Sequence, residues 1–160
     1  MHRIPALVLR HRAALDRAAL AAAIALPLVC AAAALVVDDW RARRFLLAYV
    51  APFFVALPLW VRRRLARAER WSGPEMALDG AVVTLGALRF AGGFLPFSGH
   101  ALFFAYSFLT VPSRGYRLLA ALLLAETAYF KLVVRSDPHS LALGTVLALA
   151  FAALHRRITR

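Results

Sequence analysis

The chain has 160 residues, of which 62% are hydrophobic and only 18% charged, with a mean hydropathy of +0.69. A soluble domain averages about 45–50% apolar and about 25% charged, so these values argue against an ordinary water-soluble domain and against disorder. Lysine and arginine total 20 against 8 acidic residues, a net charge of +12, and the single cysteine, Cys30, rules out a disulfide framework and a cysteine-based zinc site.

Apolar runs of membrane-spanning character recur between short basic connectors, which is the pattern of an all-α, polytopic membrane bundle of about six helices. Residues 1–17 are basic with interspersed Ile4, Leu7, Val8 and Leu15, an expected interfacial amphipathic segment. Residues 18–160 are then one transmembrane domain. The first span, 18–37, is uncharged and too long for a signal-peptide core. The second, 45–61, contains Pro52 and Pro58, which should kink it. A basic connector ending in Ser72-Gly73-Pro74 leads to a short third span, 75–88, carrying Asp79. Gly92, Gly93, Pro96 and Gly99 interrupt helical continuity over 89–100, between Phe90, Phe94 and Phe97, so this segment reads as an apolar, re-entrant loop. The fourth span, 98–111, starts at Ser98 as N-cap. The fifth, 116–134, carries Glu126 and Lys131. The sixth, 140–154, follows a polar turn in which Asp137 or Ser136 caps the helix and Pro138 occupies its first turn.

With six spans both termini share one side. That side holds Arg3, Arg10, Arg12 and Arg17, the five arginines between Arg62 and Arg70, then Arg114, Arg117, Arg156, Arg157 and Arg160; the other holds only six basic residues. The positive-inside rule places both termini in the cytoplasm, in what the composition suggests is a bacterial inner membrane. The basic clusters fit this topology and anionic headgroups better than nucleic acid, which is not an expected partner.

Ionisable residues within spans are costly and are usually paired or functional. Lys131, Arg135 and Thr127 are spaced to share a helix face, and with Arg89 they would make a cationic pocket near the outer surface. The competing expectation is that Lys131 and Arg135 simply snorkel to the interface. Asp79 and Glu126 lie deeper, where they either pair between helices, Asp79 with Arg89 for instance, or relay protons.

The most distinctive stretch is Pro96-Phe97-Ser98-Gly99-His100. Here the chain resembles the type 2 phosphatidic acid phosphatase superfamily, six-helix membrane lipid phosphatases whose second motif is Pro-Ser-Gly-His at a helix start. Ser98-Gly99-His100 reproduces its last three residues, with Phe97 inserted after Pro96. The chemistry suits the place, because a helix N-terminus offers N–H groups to an anion and a His there can protonate a leaving oxygen. The family's third motif is Ser-Arg, five residues, His, three residues, Asp. The matching region is Lys131-Leu-Val-Val-Arg135-Ser-Asp137-Pro-His139, with the residue types present and the spacing altered; Leu143 stands where the Asp would be, and Asp137 precedes the His. The first motif is Lys, six residues, Arg-Pro. Arg63 and Arg70 have that spacing with Trp71 for Pro, but charge counting puts them on the side opposite His100, which Arg41, Arg43 and Arg44 share.

The resemblance implies a lipid-phosphate or polyprenyl-phosphate hydrolase or headgroup transferase acting outside the cytoplasm. His100 would be the general acid, His139 the nucleophile and Asp137 its orienting partner. Arg89, Ser98, Gly99, Lys131 and Arg135 would hold the phosphate, and no cofactor would be required. His100, His139 and Asp137 also make a conceivable metal-ligand trio, but no His-x-x-x-His or Glu-x-x-His spacing supports it and no metal is expected. The alternative is a non-enzymatic membrane protein, a scaffold or transporter subunit, whose buried charges are interhelical pairs.

Overall fold

Small side chains line the inward stripes of the first and last helices, whereas large ones such as Leu102, Phe103, Phe104 and Tyr106 fill the core around one enclosed helix. In the computed structural model, which describes residues 6–67, 71–92 and 95–160, regular structure is entirely helical among the described residues. Residues 1–5 of the expected amphipathic segment, Arg70, Gly93 and Phe94 lie outside the described residues. Among the described residues two helices, over His11–Val36 and Pro138–Ile158, are long and apolar enough to cross a membrane. The described residues form two units, one within Ile4–Arg70 and one over Trp71–Arg160.

In the first unit, α1 (Ala6–Val36) runs without a break from the basic N-terminal stretch into the apolar run. It buries Ala19, Ala23, Cys30 and Ala34 and exposes Ile24, Leu28, Val29, Leu35 and Val36. Asp39 caps the short α2 (Trp40–Phe45) by accepting from the Arg41 and Ala42 N–H groups. One π-helical turn, Leu46–Val50, then leads into α3 (Ala51–Leu65). The sequence places a kink at Pro52; the distortion falls in the preceding turn, where the Ala51 N–H reaches back five residues to the Leu46 carbonyl. The Arg62 guanidinium bonds Asp16 at 2.9 Å, and Arg12 donates to the Ala66 carbonyl at 3.1 Å, tying α1 to the end of α3.

The second unit is built around α5 (Gly99–Thr110), whose residues from Gly99 to Ser107 are all buried. A helix apolar on every side belongs inside a bundle. It is surrounded by α4 (Gly73–Gly92), α6 (Arg114–Tyr129) and α7 (Pro138–Ile158). A capping box starts α4, with Ser72 N–H donating to Glu75 Oε2 at 2.8 Å and Glu75 N–H to Ser72 Oγ at 3.4 Å. The inward stripe of α7 is Ser140, Gly144, Ala148, Ala152 and His155, while Leu143, Val146, Leu149 and Leu154 face outward. Spacing of four between small residues lets backbones approach closely.

That approach is tightest at the start of α5. A Cβ on Gly99 would lie 2.7 Å from the Gly86 carbonyl oxygen, and one on Gly144 would lie 2.5 Å from the Ser98 carbonyl oxygen. Gly144→Ala should therefore destabilise the protein by about 1–3 kcal/mol, as overpacking does. Gly80, with nothing within 4 Å of its Cβ position, should accept alanine without loss. Thermal unfolding of both variants in detergent measures the contrast.

Candidate functional site

The helices of the second unit bring two loops together at one end. Ser98 is the N-cap of α5; its Oγ accepts from the Ala101 N–H at 3.3 Å. Asp137 is the N-cap of α7, with Pro138 in the first turn; its Oδ1 accepts from the Ser140 N–H at 3.2 Å. The Ser98 N–H donates to the Ser140 carbonyl at 2.7 Å. An N-cap N–H has no backbone partner within its own helix, and Ala101 at the third position of α5 offers no side-chain acceptor, so this bond joins one helix start to the other. Two helix N-termini, each with the positive end of its dipole, therefore meet at one place.

Lys131 approaches the same place from the end of α6. Its residue is 8% exposed, and its Nζ lies 2.9 Å from Asp137 Oδ2. The Ser140 hydroxyl donates to that same oxygen at 2.5 Å. The last turn of α6 positions both partners. Residues Phe130–Val134 form a π-helical turn, Ser136 adopts the left-handed conformation with φ 49°, and the Asp137 N–H returns to the Lys131 carbonyl at 2.8 Å. The π turn also changes the face on which Arg135 emerges. Counting fours from Thr127 puts Lys131 and Arg135 together; with the Arg135 N–H bonded to Phe130 five residues back, Thr127 and Lys131 stay buried while Arg135 is exposed, its guanidinium 5.9 Å from the Phe130 ring centroid.

The other expected site residues divide. His100, in the first turn of α5, is buried, and its ring meets Phe104 edge-on at 5.8 Å. Arg89, at the end of α4, donates from Nε to the Phe97 carbonyl at 2.9 Å and so braces the segment that enters α5. His139 is exposed in the first turn of α7. Both Asp137 oxygens are engaged by Lys131 and Ser140, so Asp137 serves as a helix cap and ion-pair partner where the sequence suggested an orienting group for His139. Among the described residues, no three His, Cys, Asp or Glu side chains are gathered as metal ligands.

A second polar cluster occupies the opposite end of this unit. Asp79, 1% exposed, accepts from the Trp71 indole N–H at 3.0 Å and from the Tyr106 hydroxyl at 2.5 Å. The Tyr106 ring lies 6.1 Å from that of His155, whose Nδ1 is 3.9 Å from Glu75 Oε1. The Asp79–Arg89 pair considered from sequence spans ten residues of one helix, about 15 Å of rise, beyond the reach of the two side chains. Sequence reasoning singled out Asp79 but missed Ser140, Gly86, Gly144 and the Trp71, Tyr106 and His155 members of this second cluster. The Ser140–Gly144–Ala148–Ala152 repeat and the Ser72-x-x-Glu75 signature were the signals available for part of it.

No protein-family model, curated protein or solved structure matches this chain.

The electrostatics at the α5–α7 junction are one-sided. The Ser140 hydroxyl first, then the Lys131 ammonium and the Ser140 N–H, hold the Asp137 carboxyl well below the usual carboxylate range. A carboxylate whose folded pKa is depressed stabilises the fold above its ordinary value of about 3.9, and that contribution is lost as pH falls through the window below it. The wild type should therefore be more stable than Asp137→Asn at neutral pH, with the gap narrowing progressively as pH falls below about 4. Paired thermal melts across that range measure it.

Proposed function

We propose that this chain is an integral membrane protein of about six spans with both termini in the cytoplasm, and that its second unit hydrolyses or transfers the phosphate headgroup of a lipid or polyprenyl phosphate at the non-cytoplasmic face. The observation that carries the reading is the 2.7 Å bond from the Ser98 N–H to the Ser140 carbonyl, which makes the segments bearing His100 and His139 neighbours.

The distribution of side chains supports a lipid environment. On α6 the inward stripe is Tyr116, Ala120, Leu123, Thr127 and Lys131, while Leu118, Leu122, Tyr129, Leu132 and Val133 face outward. A water-soluble bundle reverses that arrangement, whereas lipid chains are as apolar as leucine and leave packing to small and polar residues. Twelve-residue α5 rises about 18 Å, less than a hydrocarbon core of about 30 Å. Wrapped by its neighbours, it can start below the membrane surface and still satisfy its backbone.

In this reading the phosphate sits between the two helix starts, against N–H groups and the Lys131 ammonium, with Arg89 and Arg135 as flanking cations. His139 attacks phosphorus, the bond from phosphorus to the lipid oxygen breaks, and His100 gives that oxygen its proton. Water, or the hydroxyl of an acceptor, then takes the phosphoryl group from His139. General-acid catalysis contributes about 10²–10⁴-fold, so His100→Ala should lower phosphate release from a panel of lipid phosphates by that factor while the protein still inserts into membranes. Unchanged turnover would contradict the assignment.

A second reading, a non-enzymatic scaffold or transporter subunit, draws on the intramolecular partners held by Lys131 and Asp79. It expects no phosphate release from any lipid phosphate by the wild type.

A further inference from the structure

Two donors converge on one oxygen at the α5–α7 junction. The Lys131 ammonium and the Ser140 hydroxyl lie 2.9 and 2.5 Å from Asp137 Oδ2. Both donor residues are interior, 8% and 4% exposed, whereas the Asp137 side chain is 37% exposed. The donors are thus held in the wall, and the acceptor reaches them from the solvent side. Asp137 follows Ser136, a non-glycine residue in the left-handed region, a strained joint between two helices.

We infer that Lys131 and Ser140 form an oxyanion-binding pair whose resting occupant is the chain's own Asp137 carboxylate, and that a phosphate monoester binds by displacing it. A carboxylate oxygen and a phosphate oxygen ask the same of a site, an ammonium and a hydroxyl directed at one atom. A phosphate brings more negative charge than Asp137 and further oxygens, which can meet the two helix N-termini beside the pair. The displaced carboxylate is already partly exposed and passes into water, so its release gives up the bonds to Lys131 and Ser140 and regains hydration. Asp137 then has the part of an internal competitor that keeps Lys131 neutralised in the interior until an anion arrives. The choice of a phosphate monoester as ligand rests on the function proposed above; the pair of donors does not.

The test is equilibrium binding to the full-length protein in detergent, using inorganic phosphate and a short-chain phosphatidic acid as separate probes. Asp137→Asn removes the charge and retains helix capping, and Asp137→Ser is a second neutral variant that also caps. Both should bind phosphate at least about tenfold more tightly than the wild type, and Lys131→Gln added to Asp137→Asn should abolish the gain. A gain with both probes means the phosphate group alone is recognised; a gain with phosphatidic acid alone means the site requires the lipid headgroup; each supports the displacement. Equal or weaker binding in both neutral variants would overturn it and leave Asp137 as a cap. Tighter binding without any phosphate release would retain this site and remove the hydrolase.

Discussion

The hydrogen bond from the Ser98 N–H to the Ser140 carbonyl is the contact on which the second unit's architecture turns. It sets the starts of α5 and α7 side by side, so the two helices run in the same direction with α6 returning between them in sequence. It is possible only because Gly144 has no side chain where the Ser98 carbonyl passes, and because Gly86 lets Gly99 approach on the other side. Once the helix starts are adjacent, their dipoles and the Lys131 ammonium create a positive locus, and Asp137 supplies the compensating charge. Structure and candidate chemistry thus share one cause.

The opposite end of the same unit is fastened differently. There a buried carboxylate, Asp79, collects an indole N–H and a phenol O–H from separate positions in the chain, and Glu75 and His155 face each other nearby. Ala101, Ala105, Ala148 and Ala152 are buried in this unit, as are large α5 side chains such as Phe103 and Tyr106. In hydrocarbon, where lipid exerts no hydrophobic pressure on helix pairs, close small-residue packing in the middle and polar contacts near the ends are the available means of association.

The all-helical class was legible because long uncharged runs such as the one before Val37 leave no other solution. Both helix starts at the junction were legible too, since Ser98 and Asp137 carry the side-chain oxygens that capping requires and Pro138 suits a first turn. Arg135 was misplaced because spacing arguments assume 3.6 residues per turn, and a single π turn at Phe130–Val134 breaks that register without any residue announcing it. The role of Asp137 was hidden for a related reason: its partner Lys131 is six residues back, across a left-handed turn that no periodicity reaches. Tyr106 bonds Asp79 on another helix, and the Ser140 carbonyl accepts from the Ser98 N–H of α5, so only the fold reveals these contacts.

The account stands or falls on the α5–α7 junction, and amide hydrogen exchange at Ser98 addresses it most directly. As an N-cap with Ala101 at the third position of its helix, the Ser98 N–H can be hydrogen-bonded only by a partner outside that helix. Bonded to Ser140 and 2% exposed, it should exchange as slowly as the Leu102 N–H inside α5, by a protection factor on the order of 10³ or more. Exchange at the rate of an open loop would mean that the two helix starts do not meet, and the candidate site would dissolve with them.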